Sequence, residues 1–173
     1  MLITDSSYRC DSSMAQADAD FIQVREPGMR LPALVECVRK LVSAGGPRIL
    51  VNDRTDVALA CGAAGVHLRD GSVAPQAIRR IAPAGFIISV ACHDAMAVQR
   101  AEEEGADYAV LAPIFRPLSK AAGRPPLGLE ALRAIASRSA IPVIALGGIT
   151  IDNAPLCMEA GAAGVAGITL FRP

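Results

Sequence analysis

The residues most suited to chemistry lie at the ends of short apolar runs. Gln23 and Arg25 end the run FIQVRE (21–26). In an alternating strand they share one face, and an amide beside a guanidinium suits a phosphate or diphosphate, because a guanidinium can bond two oxygens at once. The competing reading pairs Arg25 with Glu26 or another carboxylate. Asn52 and Asp53 follow the run RILVN (48–52). A carboxylate there can ligate Mg²⁺ and the amide can donate to a substrate, although NDRTD also reads as a helix start with Asn52 or Asp53 as its cap. Ser119 and Lys120, in the aperiodic stretch PIFRPLSKAAGRPPLGL (113–129), can hold an anion. A loop that long in a compact domain commonly serves binding. Gly147 and Gly148 after PVIAL expose backbone N–H groups to a phosphate, and Thr169 ends the last apolar run. His67, inside a buried run, reads as a satisfied core residue rather than a base. His93 reads as a helix cap.

Eight apolar runs must position these groups: 2–5, 21–26, 48–52, 65–68, 86–91, 108–113, 142–147 and 164–169. Most are continuous rather than alternating, as expected for strands buried on both faces. Helical spacing separates them, as in Leu31, Leu34, Val35, Val38 and Leu41. Glycine-rich joints such as GAAGV (62–66 and 161–165) end helices and turn the chain back into strands. Repeated strand–helix units of one hand give a parallel sheet, and eight of them predict a (β/α)₈ TIM barrel forming a single domain over 1–173. The chain is short for that fold. The first helix is therefore expected to be reduced, and the last missing or vestigial. A doubly wound open sheet is the rival, but it gathers its ligand groups at one or two switch points. Here polar residues follow nearly every run, including Asp5, Arg25, Asn52, Asp53, Arg69, Asp70, His93 and Lys120.

With 17 basic and 17 acidic residues the formal charge is zero, so a concentrated basic face for nucleic acid is not expected. No apolar run approaches the roughly 18 residues of a membrane span, and the start MLITDSS lacks a leader pattern, so the expected compartment is cytoplasmic. Five cysteines without a C-x-x-C pair argue against a disulfide framework, and Cys37, Cys61 and Cys157 read as small core residues.

Taken together, FIQVRE, ILVNDRTDVALACGAAGVHL, GADYAVLAPIF, the Ser119–Lys120 pair, IPVIALGGIT and AGAAGVAGI resemble the thiamine-phosphate synthase and TenI family along nearly the whole chain. The resemblance implies a (β/α)₈ barrel, phosphorylated small-molecule substrates, Mg²⁺ and a homodimer. It also implies a transferase joining a hydroxymethylpyrimidine diphosphate to a thiazole phosphate, with release of pyrophosphate. By that resemblance Gln23, Arg25 and Lys120 grip the diphosphate, with Arg25 and Lys120 as its catalytic cations. Asn52 contacts the pyrimidine, Gly148 offers its N–H to the thiazole phosphate, and Asp53, with Asp70 nearby, binds metal. The chain departs from the pattern at four places: Pro27 stands for a lysine, Ser72 for a second metal aspartate, Ala91 for a serine and Pro117 for a threonine. Each lost charge-assisted contact is worth about 1.5–3 kcal/mol. The alternatives are a TenI-like thiazole tautomerase, whose histidine falls on Pro113, and a non-catalytic binder of thiamine-type phosphates acting in regulation.

Overall fold

The computed structural model describes residues 1–5, 14, 16–116 and 123–171. Eight strands form one sheet in sequence order: β1 (Leu2–Ile3), β2 (Phe21–Val24), β3 (Arg48–Asn52), β4 (Gly65–Leu68), β5 (Ile87–Cys92), β6 (Tyr108–Leu111), β7 (Val143–Leu146) and β8 (Gly164–Ala166). Every neighbouring pair is parallel. A parallel bridge between Leu2 and Gly167 joins the last strand to the first, with Ile3 N–H donating to the Gly167 carbonyl at 3.0 Å. The sheet therefore closes into the expected barrel, and the open-sheet alternative falls away.

Six helices surround it: α1 (Leu31–Ala44), α2 (Thr55–Ala60), α3 (Pro75–Arg79), α4 (Ala95–Glu103), α5 (Gly128–Ala136) and α6 (Ala154–Glu159). Among the described residues no α-helix follows β1 or β8, and α2, α3 and α6 have only five or six residues each. That is how eight strands fit into 173 residues. No helix among the described residues is long and apolar enough to cross a membrane.

Apolar residues fill two shells. Leu34, Cys37, Val38 and Leu41 of α1 pack with Ile49, Val51 and Val66 outside the strands on one side. Val98 and Ala101 of α4 and Leu132 of α5 do the same with Ala109, Leu111 and Val143 on the other. A smaller cluster of Ile3, Leu50, Ile87, Tyr108, Val110 and Ala166 plugs the barrel interior. Residues i and i+2 on a strand share a face, so the strand that points Leu50 inward also aims Asn52 into the barrel mouth. Cys37 is disulfide-bonded, which corrects its reading as a free core thiol, whereas Cys61, Cys92 and Cys157 are free and buried. Helical burial at position 37 is equally compatible with both states, so spacing alone could not separate them.

The amino-terminal end of the barrel is tied by Arg79. Its guanidinium donates to the Phe86 carbonyl at 2.6 Å and to Asp107 Oδ2 at 2.7 Å, while the same Oδ2 accepts the Ile88 N–H at 2.6 Å. Gly65 opens β4 where β5 passes closest. A Cβ on it would lie 2.7 Å from Ile87 Cβ and closer still to the Ile87 carbonyl oxygen. Because strand backbone cannot yield cheaply inside a closed barrel, Gly65→Ala is expected to destabilise the fold by about 1–3 kcal/mol, read as a lower urea midpoint with an unchanged slope.

Candidate active site

The carboxyl ends of β2, β3 and β4 bring the expected anion-binding residues to one rim. The register pairs Val24 with Val51 and Asn52 with His67, so Arg25, Asn52, Asp53 and Arg69 emerge at neighbouring heights on adjacent strands. Asp53 and Arg25 both act electrostatically on His67, the first favouring and the second opposing its charge.

Gln23 is buried in the barrel at 2% exposure, and its Nε2 donates to Asn52 Oδ1 at 2.8 Å. Its Oε1 is buried without a partner, an acceptor aimed inside the barrel that a bound donor can satisfy. Arg25 is exposed, and no ion pair among the described residues involves it. The pairing of Arg25 with Glu26 does not form. Instead the Thr4 hydroxyl donates to Glu26 Oε1 at 2.7 Å and accepts the Arg25 backbone N–H at 2.9 Å. Thr4 thus holds the end of β2 while the guanidinium stays available. Thr4 was not singled out by sequence, where it looked like one more residue of a strand.

Asp53 is the one non-glycine described residue with a left-handed backbone, φ 59°. Aspartate tolerates that region better than most residues, and the turn it makes redirects the chain from β3 into α2. Its backbone N–H donates to the His67 carbonyl at 2.8 Å. The helix-cap reading of Asn52 and Asp53 is not realised: Arg54 precedes α2 and no side chain caps it. The Asp53 carboxylate reaches across to the loop after β4 instead. Oδ2 accepts both Nε (2.7 Å) and a terminal nitrogen of Arg69, and Oδ1 accepts the Ser72 hydroxyl and, more weakly, the Arg69 backbone N–H at 3.4 Å. Partial burial alone would raise the Asp53 pKa, but the hydrogen bonds from Ser72 and Arg69 outweigh it and hold the group below the usual aspartate value.

Asp70, the proposed second metal residue, pairs with Arg124 at 3.7 Å and lines the same pocket as Asp53. Among the described residues no three His, Cys, Asp or Glu side chains cluster in a way that holds a metal ion. Of the Asp53 and Asp70 carboxylates expected to hold metal, Asp53 has its oxygens engaged by the Arg69 guanidinium and the Ser72 hydroxyl. Sequence reading placed Arg69 among the polar residues at the rim but gave it no role in the site. The period-two argument applied to Gln23 and Arg25 applies equally to His67 and Arg69, and would have found it.

His67 is buried, and its Nδ1 lies 3.0 Å from Ser89 Oγ, which also bonds the Val66 carbonyl at 3.4 Å. Burial pushes the imidazole down to about 4, against a small opposing pull from Asp53. It is neutral at pH 7, in keeping with a core histidine. Ser89 faces the barrel interior, and Ala91, two residues nearer the mouth, brings no hydroxyl there. His93 does not cap α4: Asp94 does, accepting the Ala97 N–H at 2.8 Å, while His93 Nδ1 lies 2.7 Å from the Ala112 carbonyl.

On the far side of the mouth Gly147 and Gly148 have positive φ and lie against the segment after β6. A Cβ on Gly147 would meet Pro113 at 2.8 Å, and one on Gly148 would meet Phe115 Cβ at 2.8 Å. Asn153 fixes the turn, donating to the Gly148 carbonyl at 2.9 Å and accepting the Thr150 N–H at 2.8 Å. Thr169 is exposed just past β8. Ser119, Lys120 and Pro117 lie outside the described residues.

A closed parallel barrel with Arg25, Asn52, Asp53 and Arg69 gathered at its carboxyl rim defines a (β/α)₈ protein with its polar groups where such barrels carry their sites. The family model described as thiamine monophosphate synthase matches residues 1–171. The thiamine-phosphate synthase of Methanoculleus marisnigri is 41% identical over 158 residues, covering 90% of this chain and 75% of the relative. That of Methanocella arvoryzae is 42% identical over 154 residues, covering 87% and 73%. The structure of a thiamine phosphate pyrophosphorylase from Pyrococcus furiosus superposes with a TM-score of 0.84 at 29% identity, over 97% of this chain and 84% of that one. The chain belongs to the thiamine monophosphate synthase family.

The depressed His67 value has a stability consequence. The unfolded imidazole titrates near 6.5 and the folded one near 4, so the unfolded state binds the extra proton and stability falls as pH drops from about 6.5 to about 4. In His67→Asn that component, up to about 3 kcal/mol, is expected to vanish. Urea midpoints at pH 7 and pH 4.5 should then differ less for the variant than for the parent.

Proposed function

We propose that this chain condenses a hydroxymethylpyrimidine diphosphate with a thiazole phosphate to give thiamine phosphate and pyrophosphate. The observation that carries the reading is the Arg25 guanidinium, in no ion pair among the described residues, on the same rim as Asn52 and the buried, half-satisfied Gln23 amide, in a chain of this family. Phosphorylated small molecules are the substrate class.

The chemistry asks for charge rather than for a base. The bond between the pyrimidine methylene carbon and the diphosphate oxygen breaks, and the electron pair leaves with the oxygen as pyrophosphate. The thiazole nitrogen lone pair then forms the new C–N bond on that carbon, giving a quaternary nitrogen with no proton to remove. Fixed cations aimed at the departing oxygens lower the barrier, since they stabilise charge that develops only as the bond breaks. Arg25 supplies one, and Lys120, outside the described residues, supplies another in this reading. Asn52 and the free Gln23 Oε1 orient the pyrimidine, and the Gly147–Gly148 turn receives the thiazole phosphate. Neutral His67 is a positioning residue beneath them.

Mg²⁺, which the resemblance implies, would neutralise diphosphate charge when bound. The side chains described do not fit it, because the Asp53 oxygens are engaged by Arg69 and Ser72 and Asp70 is paired with Arg124. No step is derived through it. The tautomerase alternative finds no support, since Pro113 occupies the position of its histidine and packs against Gly147. A cytoplasmic homodimer belongs to the same reading.

The test is incubation of the two substrates with the purified chain, with product oxidised to fluorescent thiochrome. Time-dependent product is expected. Arg25→Ala should lower kcat/KM by about a hundredfold, corresponding to about 3 kcal/mol of transition-state stabilisation, with an unchanged urea midpoint. Binding of both substrates without product would leave a non-catalytic binder.

A further inference from the structure

The carboxylate best placed to take a cation at this mouth already holds one that is covalently part of the chain. Arg69 directs two guanidinium nitrogens at Asp53 Oδ2, and Ser72 and the Arg69 backbone N–H take Oδ1. The four donors fill the lone pairs a hard metal ion would need. A divalent cation approaching Asp53 also meets the positive charge of Arg69 at contact distance, and the neighbouring Asp70 is itself paired with Arg124. Yet the Arg69 side chain remains 70% exposed, so its outer N–H groups face the mouth rather than the core. A guanidinium engaged by a carboxylate through one edge keeps donors on its remaining nitrogens and can bond two anionic oxygens there.

We infer that Arg69, held in place by Asp53 and Ser72, is the built-in cation of this site and binds the diphosphate group without a metal ion. The inference rests on the proposed function, since it concerns the same diphosphate. Arg25 on β2 and Arg69 after β4 flank Asn52 and Asp53 on β3, so two guanidinium groups bracket the position where pyrophosphate leaves. Asp53 is in this arrangement a positioning residue for Arg69, and Ser72 fixes the other carboxylate oxygen so that the pair keeps one geometry.

The experiment is calorimetric titration of the full chain with inorganic pyrophosphate, in EDTA and in millimolar Mg²⁺. The parent protein is expected to bind at least as tightly in EDTA as in Mg²⁺. Arg69→Lys, which keeps the charge but loses the forked geometry, should bind more weakly than the parent in EDTA and more tightly than Arg69→Gln. Arg69→Gln should lose at least tenfold in EDTA, and Mg²⁺ should restore much of that loss, because the substitution uncovers the Asp53 carboxylate. Circular dichroism melts show whether each variant is folded at the titration temperature. Parent binding that appears only with Mg²⁺ overturns the inference while leaving the proposed reaction standing. Unchanged binding by folded Arg69→Gln in EDTA overturns it as well. Absence of pyrophosphate binding in either buffer overturns both.

Discussion

Closure of the parallel ladder governs everything else in this molecule. Each strand contributes only two to six residues, and β1 contributes two. Such short strands leave no spare backbone hydrogen bonds, and an open edge at β1 or β8 would expose the apolar interior on one side. The bridge from Leu2 to Gly167, with Ile3 donating to the Gly167 carbonyl and Gly167 donating to Met1 at 3.2 Å, removes that edge. Once the ring is closed, inward and outward directions are fixed for every strand by the period of two. The heights of Arg25, Asn52 and Arg69 around the rim then follow from register alone.

The two ends of the barrel divide their labour through charge. At the amino-terminal end, Arg79 and Asp107 bond main-chain groups of β5 and its approaches, so their charges are spent on holding backbone. At the carboxyl end, Thr4 bonds Glu26 and the Arg25 main chain and leaves the Arg25 guanidinium without an ion pair among the described residues, while Asp53 and Arg69 pair without covering the Arg69 guanidinium. Structural polar contacts at the mouth are thus made by small side chains, and the long cations stay outward.

The strands were legible because a fully buried parallel strand must be apolar along its length: 48–52 and 65–68 coincide with β3 and β4, and the others differ at their ends by a few residues. Ends are harder to read, since a residue such as Glu26 leaves the ladder and bonds Thr4 through its side chain, which composition does not encode. The rim position of Arg25 and Asn52 was also legible, from alternation. The fate of the Asp53 carboxylate was not. NDRTD matches a helix cap, and only the left-handed backbone at Asp53 swings its side chain away from α2 and toward Arg69. The disulfide state of Cys37 was hidden for a related reason, because a buried helical position suits a thiol and a bridged sulfur alike.

The bend at Asp53 narrows the residues that can occupy it. Glycine and asparagine accept the same torsion, so either can erase the acid while the main chain keeps its course. A valine or isoleucine there would alter conformation and charge together. Geometry and electrostatics at this corner can accordingly be dissected by exchanging one oxygen for an amide nitrogen, an isosteric change that few catalytic rims offer at so constrained a point.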